Sequence, residues 1–255
     1  VGHKTHAKMI LVVRREERQL RRYVHLGTGN YHPSTARLYT DYGLFTCDNA
    51  IGLDAQKLFH QLTAPGRPGK LKKLLQSPFT LHKTMLELIA REAENGRAGK
   101  PARIIAKMNS LTELNVIQAL YGASQAGVKI ELLVRGVCAL RPGIAGVSEN
   151  ISVRSIVGRF LEHTRVFHFH NDGNLDTYLS SADWMDRNFF SRIETCFLIE
   201  DKRLRDRIIK KGLNNYLSDN VRAWQLRSDG TYVQAKPGTA RPREAQQKLL
   251  EHFAR

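Results

Sequence analysis

The sequence lacks several features that would assign it to a membrane-spanning, secreted or metal-binding class. Its 255 residues contain only three cysteines, Cys47, Cys138 and Cys196, which lie far apart and without metal-ligand spacing. An odd and sparse set of cysteines argues against a disulfide framework and fits a reducing compartment. No apolar run approaches the roughly 18 residues that a membrane span requires, and no signal peptide is visible. We therefore predict a cytoplasmic protein without a membrane span, and we leave peripheral membrane association open.

Acidic residues are also scarce relative to basic ones. The chain carries 40 Lys and Arg against 24 Asp and Glu, which gives a formal net charge of +16 and a pI near 10.0. A field of that sign concentrates anions at the surface and speeds their capture. Nucleic acid, anionic lipid and inorganic polyanions are therefore the candidate partners.

The apolar patterns along the chain predict an α/β fold. A stretch rich in Pro, Gly and Lys at 64–73 is the best candidate for a domain boundary, and it divides the chain into 1–73 and 74–255. A strand, a helix and a second strand over 102–134 predict a parallel β-α-β unit. The other predicted strands are 7–14, 20–27, 163–169, 176–181 and 192–199, and the other predicted helices are 50–63, 82–95, 201–218 and one from about Pro242.

One short pattern, a histidine followed two residues later by a cation, stands at the head of two predicted strands. His6 and Lys8 occur in "KTHAKMILV", and His163 and Arg165 occur in "LEHTRVFHF", a domain length further along the chain. Each copy leads into a hairpin whose second strand ends in a small polar cluster, "GTGN" or "SSAD". Residues i and i+2 of a strand point to the same face of a sheet. Each half is therefore predicted to present one imidazole, one cation and several small polar donors on a single surface.

Two such half-sites facing each other suit phosphoryl transfer. One imidazole would attack phosphorus and carry the group as a phosphoramidate, while the other would act as general acid and then as general base. Lys8 and Arg165 would neutralise the equatorial oxygens of the phosphoryl group. Gly27 and Gly29 are expected to keep side chains away from the phosphate, and Asn30 is expected to donate an amide hydrogen.

Paired H-x-K motifs with downstream small polar clusters resemble those of the phospholipase D-like superfamily. Longer strings, "VGHKTHAK", "YVHLGTGNYHPSTARLYTDYGLFT", "SIVGRFLEHTRVFHF" and "YLSSADWMDRNFFSRIE", are similar to the polyphosphate kinase family. The resemblance covers essentially the whole chain. It implies two phospholipase D-like catalytic domains with mixed sheets flanked by helices, the first truncated at its N-terminus. It also implies reversible transfer of the terminal phosphoryl group of ATP to a growing polyphosphate chain through a phosphohistidine, with this isolated chain inactive or impaired.

On the matching motifs, the resemblance makes His6 the phosphorylated histidine and His163 a second catalytic histidine that also contacts nucleotide. It places Tyr39 of "ARLYTDY" and Arg135 of "LLVRG" at nucleotide-binding positions, and Arg192 of "SRIE" near the phosphates. A phosphate or a neighbouring carboxylate would supply the partner that a buried Arg135 guanidinium needs. Mg²⁺ is the implied cofactor, bound with ATP and contacted by segments outside this chain. The implied partners are ATP, ADP and inorganic polyphosphate, with a homo-oligomer expected for the full-length protein.

Some alternatives stay open at this point. Asp41 is either a carboxylate that orients His6 through its second ring nitrogen or a solvated side chain. Val13 stands five residues after the lysine of the first motif, where phospholipase-type motifs carry an aspartate. This difference favours the first hypothesis, a kinase, over the second, a phosphodiesterase acting on lipid or nucleic acid. The third hypothesis is a basic module that only binds polyanions. His168 and His170 are predicted to lie on a hairpin surface rather than to bind metal.

Overall fold

The computed structural model describes residues 3–63 and 69–254, and it contains the predicted α/β combination of strands and helices. The strands are β1 (Lys4–Thr5), β2 (Lys8–Glu16), β3 (Gln19–Gly27), β4 (Tyr39–Thr40), β5 (Gly43–Thr46), β6 (Leu74–Ser77), β7 (Arg103–Met108), β8 (Lys129–Val134), β9 (Ile151–Ile156), β10 (Leu161–Glu162), β11 (Arg165–Phe169), β12 (Asp176–Ser180), β13 (Arg192–Leu198), β14 (Ala223–Leu226) and β15 (Tyr232–Gln234). The helices are α1 (Pro33–Leu38), α2 (Asn49–Thr63), α3 (Leu81–Arg97), α4 (Leu114–Gln125), α5 (Asp186–Phe190), α6 (Lys202–Ile208), α7 (Asn215–Leu217) and α8 (Ala245–Phe253). Residues 64–68 of the predicted boundary lie outside the described residues.

A mixed sheet of ten strands forms the centre of the fold. Its order is β1-β13-β12-β11-β7-β8-β9-β14-β15, and β6 also pairs with β13. Strands β7, β8 and β9 run parallel, with α4 between β7 and β8, as the predicted β-α-β unit requires. Strand β12 is antiparallel to both β11 and β13, β11 is antiparallel to β7, and β1 is parallel to β13. The most buried side chains of α3 and α4 belong to the hydrophobic core that covers one face of this sheet. No helix within the two described ranges is long and apolar enough to cross a membrane.

A second, three-stranded antiparallel sheet has the order β2-β3-β5. Val24 and Leu26 of β3 are buried together with Leu58 of α2. The same buried cluster contains Val166 and Phe197 from the large sheet. The small sheet is therefore packed against the large one through a shared apolar core, which fixes the first H-x-K motif relative to the second.

Both histidines of the paired motifs lie in a break between strands, not inside a strand. His6 separates β1 from β2, and His163 stands just after β10 and before β11. The chain changes partners at each break: β1 pairs with β13 but β2 with β3, and β10 pairs with β4 but β11 with β7 and β12. The expectation that each histidine shares a strand with its cation is therefore wrong. The strands begin at Lys8 and Arg165, because the backbone passes from one sheet to another at the histidine.

Two other predicted segments differ from the structure. No helix is predicted between 27 and 50, but the structure has α1 there, which begins at Pro33, a residue whose fixed φ suits the first turn of a helix. The single helix predicted over 201–218 is divided by a π-helical segment, Ile209–Asn214, between α6 and α7. A Cβ atom on Gly212 would lie 2.4 Å from the hydroxyl oxygen of Tyr42. The widened turn thus packs directly on a partly buried tyrosine, a tertiary contact that helical periodicity does not contain.

Candidate active site

A buried carboxylate from the second half of the chain holds the imidazole of His6. Nδ1 of His6 lies 2.9 Å from Oε2 of Glu194, whose side chain is completely buried. Because a carboxylate only accepts hydrogen bonds, Nδ1 carries the proton and the lone pair resides on Nε2. Glu194 is itself fixed, since Oε2 accepts from Ser181 Oγ at 2.5 Å and Oε1 accepts from Asn188 Nδ2 at 2.6 Å. The orientation and tautomer of His6 are therefore set by one rigid acceptor.

The imidazole of His163 is held in the same way by Asp41. Nδ1 of His163 lies 2.9 and 3.1 Å from the two carboxylate oxygens of Asp41. Thr28 Oγ1 donates to Asp41 at 2.7 Å and accepts from the Tyr42 backbone N–H at 2.9 Å. On the other side of the ring, Arg165 Nη1 donates to Nε2 at 3.0 Å. Burial lowers the pKa of His163, with Asp41 opposing that effect, so the ring is neutral with its lone pair on Nε2.

The two copies of the motif exchange their carboxylates. Glu194 belongs to the second copy and binds the first histidine, whereas Asp41 belongs to the first copy and binds the second. The hydroxyl groups are exchanged as well, since Thr28 belongs to "GTGN" and Ser181 to "SSAD". The prediction that Asp41 orients His6 is wrong: Asp41 directly follows β4, which pairs with β10 and so ends beside the second histidine. The two half-sites form one interlocked centre.

The ammonium group of Lys8 interacts with both carboxylates and so links the half-sites electrostatically. Its side chain is buried, and Nζ donates to the backbone oxygen of the preceding histidine at 2.5 Å. Burial is the main reason that its pKa is lowered from 10.5 to about 8. Arg165 and Arg192 lower this pKa further, while Glu194 and Asp41 raise it. A single ammonium group thus interacts with the carboxylates of both histidines, which places both imidazoles in one site.

Arg165 connects the same two halves by direct hydrogen bonds. Its Nε and Nη2 atoms form a fork with the Asp183 carboxylate at 3.2 and 3.0 Å, and Nη1 reaches the backbone oxygen of Thr28 at 3.3 Å. Burial alone would raise the pKa of Asp183, but Arg165 and Asn109 outweigh it and the pKa is lowered. The site residues predicted from the sequence include neither Asp183 nor Asn109, although Asp183 is the last residue of the "SSAD" cluster.

The predicted nucleotide-binding residues reach this centre to different extents. Tyr39 places its ring centre 5.0 Å from that of the second histidine, and Arg192 is close enough to affect the pKa of the lysine of the first motif. Arg135 donates from Nε to Oδ1 of Asn109 at 3.0 Å, so its protein partner is an amide, neither of the two expected anions. Asn30 is exposed beyond the end of β3, with its amide open to solvent.

Gly29 lies directly against the Asp41 carboxylate. A Cβ atom at this position would lie 2.0 Å from Oδ2 of Asp41. The glycine therefore makes room for the carboxylate that holds the second histidine. Gly27 is less crowded, since its added Cβ would lie 3.3 Å from the His25 ring and 3.6 Å from Cβ of Lys8.

The described residues do not fit a metal centre. Across 3–63 and 69–254, no group of three or more His, Cys, Asp or Glu side chains is arranged to hold a metal ion. The predicted surface position of His168 is wrong, because its side chain is buried and its Nδ1 is 2.9 Å from Thr177 Oγ1. Burial lowers the pKa of His168 to about 4. His170 instead contacts the backbone oxygen of Pro101 at 3.1 Å.

Comparison with known proteins identifies the family. The model described as polyphosphate kinase C-terminal domain 1 matches residues 1–68, and the model described as polyphosphate kinase C-terminal domain 2 matches residues 74–246. The chain therefore belongs to the polyphosphate kinase family, which confirms the resemblance seen in its motifs.

Individual relatives agree with this assignment. The chain is 60% identical over 255 residues to a polyphosphate kinase of Pseudomonas putida, covering 100% of this chain and 35% of the relative. It is 60% identical over 236 residues to a polyphosphate kinase of Neisseria meningitidis serogroup B, covering 92% of this chain and 34% of the relative. The crystal structure of polyphosphate kinase from Porphyromonas gingivalis matches with a TM-score of 0.93 at 37% identity, over 99% of this chain and 39% of that one. The chain thus spans about a third of the length of the curated relatives.

Proposed function

We propose that this chain carries the phosphoryl-transfer centre of an enzyme that moves the terminal phosphoryl group of ATP reversibly to inorganic polyphosphate. One observation carries the proposal: the two imidazoles are held alike at Nδ1 but differ at Nε2. His6 is 20% exposed, and none of the described side chains hydrogen-bonds to its Nε2. His163 is 11% exposed, and Arg165 occupies its Nε2. This difference supports His6 as the nucleophile and His163 as the proton-transferring partner.

In the first half-reaction, Nε2 of His6 attacks the terminal phosphorus of ATP. A P–N bond forms, the P–O bond to the β-phosphate breaks, and ADP leaves with the bonding electrons. His163 in its imidazolium form gives the departing oxygen a proton, and it recovers a proton from the terminal phosphate of the acceptor in the second half-reaction. Burial lowers the pKa of His163, whereas bound phosphates would raise it, so substrate binding favours the imidazolium when it is needed.

The two cations stabilise the charge that spreads over the transferring group. Lys8 and Arg165 are both buried, and cations fixed in a site of low dielectric stabilise a transition state more than mobile ones do. When His163 is an imidazolium, its Nε2 no longer accepts from Arg165, so that N–H of Nη1 becomes available to a phosphate oxygen while the fork to Asp183 keeps the guanidinium in place. Arg192 and Tyr39 lie next to this centre and are the proposed contacts for the phosphates and the nucleotide.

The remaining parts of the proposal concern the substrate and its setting. ATP, ADP and polyphosphate are the proposed partners, with Mg²⁺ bound to the nucleotide phosphates rather than to a cluster in this chain. Arg135 and Asn30 complete the proposed phosphate and nucleotide contacts. The described cysteines are all free, which supports a cytoplasmic setting, and a homo-oligomer is proposed for the full-length protein.

Labelling with γ-³²P-ATP tests this function. Within a polypeptide of the relatives' full length, the chain should acquire an alkali-stable and acid-labile label that disappears in His6→Ala. His60→Ala is the matched control, because His60 is an exposed histidine in the last turn of α2, away from the centre. Label that persists in His6→Ala would contradict the proposed nucleophile.

The same experiment separates the alternatives. A phosphodiesterase would give a covalent adduct from α-labelled substrate, or from a labelled diester, and none from γ-labelled ATP. A module that only binds polyanions would show steeply salt-dependent affinity that survives His6→Ala and His163→Ala, and no label at all.

A further inference from the structure

The alignment of His163 with Asp41 depends on a very short strand pairing. Strands β4 and β10 pair in parallel over two residues each, with Thr40 opposite Glu162. Asp41 directly follows β4 and His163 directly follows β10. The register of this pairing therefore places the carboxylate opposite the imidazole. Two paired residues give little stability by themselves. Other contacts must therefore hold the register.

The buried carboxylate of Glu162 provides these contacts. Its side chain is only 4% exposed. It accepts hydrogen bonds from three donors, Lys107 Nζ at 2.5 Å, Gln246 Nε2 at 2.6 Å and Thr40 Oγ1 at 2.9 Å. Lys107 also donates to Thr164 Oγ1 at 2.7 Å, so the residues on both sides of the histidine are fixed by one ammonium group. Burial alone would raise the pKa of Glu162, but Lys107 outweighs it and the pKa is lowered, so the pair is ionised.

Gln246 adds a clamp from the far end of the chain. It lies at the start of α8 and both accepts from the Phe160 N–H at 3.0 Å and donates to the Phe160 oxygen at 2.8 Å. The approach is close, since a Cβ atom on Gly158 would lie 2.4 Å from Oε1 of Gln246. The Gln246 amide thus binds two groups: the backbone of Phe160, which precedes His163, and the carboxylate of Glu162.

Part of this network lines a neighbouring cavity. The cavity has a volume of about 510 Å³, and Lys107, Thr40, Thr164 and Gln246 form part of its wall. Burial is the main cause of the lowered pKa of His163, and the hydrogen bond with Asp41 opposes it. If the network were broken, the imidazole would lose both its burial and its contact with Asp41, and because burial is the larger effect, its pKa would rise toward the ordinary value of 6.5.

We propose that Lys107, Glu162 and Gln246 are positioning residues that fix His163 against Asp41, so that the C-terminal helix α8 sets the geometry of the proton-transferring histidine. The kinetic part of this inference rests on the proposed function, while the geometric part does not. Neutralising a buried ion pair on both sides often leaves stability unchanged. The effect of the pair on His163 can therefore be measured apart from folding.

The test compares two disruptive variants with one matched control. Lys107→Met/Glu162→Gln removes both charges of the buried pair, and Gln246→Met removes the clamp on Phe160 but keeps the pair. The control is Arg103→Met/Glu131→Gln, which removes the same charges from another ion pair, with Arg103 Nε 2.8 Å from Glu131 Oε2 on the neighbouring strands β7 and β8. All three are measured beside the wild-type protein.

NMR titration of the imidazole signals should show the pKa of His163 rising toward 6.5 in both disruptive variants and unchanged in the control. Turnover should fall by about tenfold to a hundredfold, because a misplacement of about 1 Å costs up to about a hundredfold, while KM for ATP changes little. The proposal would be overturned if folded Gln246→Met kept the wild-type pKa of His163 and the wild-type turnover. It would also be overturned if the disruptive variants had a lower melting temperature but an unchanged pKa of His163. If the double variant does not fold, Gln246→Met decides. If wild-type protein is not labelled by ATP, the proposed function fails, while the NMR comparison still decides the positioning.

Discussion

Glu194→Gln should nearly abolish phosphorylation of His6, because it reverses the tautomer of the ring. Asn188 Nδ2 donates to Oε1 of Glu194 at 2.6 Å, so the amide oxygen of the new glutamine must face Asn188. The amide NH₂ then faces Ser181, whose hydroxyl can accept, and Nδ1 of His6. Nδ1 must become the acceptor, and the ring proton moves to Nε2. The lone pair that would attack phosphorus is lost.

The magnitude follows from the same geometry. In the Ser-His-Asp triad, an amide in place of the orienting carboxylate reduces turnover by about 10⁴, which corresponds to about 5.5 kcal/mol. The side chain of His6 is 20% exposed, so part of the ring population can turn toward water and recover the reactive tautomer. We therefore expect a loss of about 10³ to 10⁴ in the labelling rate. Glu194→Asp keeps the charge but withdraws it by one methylene, and it should lose less.

Rapid-quench labelling with γ-³²P-ATP measures this rate, and ¹⁵N NMR of the imidazole reports the tautomer. Glu92→Gln is the matched control, because Glu92 is also completely buried but has other partners: the backbone N–H groups of Arg103 at 3.1 Å and Asn171 at 2.7 Å, and the guanidinium of Arg91 at 3.5 Å. The control should lose stability without losing labelling. A folded Glu194→Gln protein that is labelled within about tenfold of the wild-type rate would refute the reasoning.

Three further predictions concern charge, space and pH. Because the pKa of Lys8 is about 8, kcat/KM for ATP should fall as the pH rises through 8. In Lys8→Arg this fall should move above pH 10. A fall that stays near pH 8 in the variant would assign it to another group. Gly29→Ala should displace Asp41 and reduce turnover about tenfold or more, since the added Cβ would lie 2.0 Å from the carboxylate, whereas Gly122→Ala, with nothing within 4 Å, should have no such effect. The folded-state pKa of His168 is about 4, below its unfolded value of about 6.5, so its contribution to the free energy of unfolding is present above pH 6.5 and lost as the pH falls toward 4. The full loss is about 3 kcal/mol, and urea titrations at several pH values should show a flatter pH dependence in His168→Gln; an unchanged slope would contradict the assignment.

The parts of the site that are local in sequence could be predicted. The two histidine–cation motifs, the hairpins that follow them and the small polar clusters that end β3 and β12 are patterns within about 25 residues, and the structure has them in those places. The parallel unit of β7, α4 and β8 follows from its alternation of strand and helix patterns. In each case the neighbouring residues carry the whole signal.

The carboxylates that hold the histidines are not local in this sense. Glu194 is 188 residues from His6, and Asp41 is 122 residues from His163. The pairings that bring them together involve β1, β4 and β10, which have two residues each and therefore no visible alternation. One signal was available: Asp41 and Glu194 are separated by nearly the same interval as the two histidines. That interval indicates that the two carboxylates occupy corresponding places in the two copies, but it does not indicate which histidine each one holds.

The exchange of carboxylates ties the orientation of both histidines to the contact between the two copies of the motif. If each histidine were held within its own half, a shift between the small sheet and the large sheet would leave both rings oriented but apart. Here each histidine is also held beside its carboxylate by the backbone of the other copy, since the His6 N–H donates to the oxygen of Ile193 at 2.9 Å and the His163 N–H donates to Thr40 Oγ1 at 3.3 Å. A separation of the two copies would therefore release both rings from Glu194 and Asp41 together. The proposed transfer through a phosphohistidine would gain from this property, because a nucleophile that stayed reactive without its partner would expose the P–N bond to water. The interlocked centre therefore makes both histidines competent in the same arrangement of the chain and neither competent outside it.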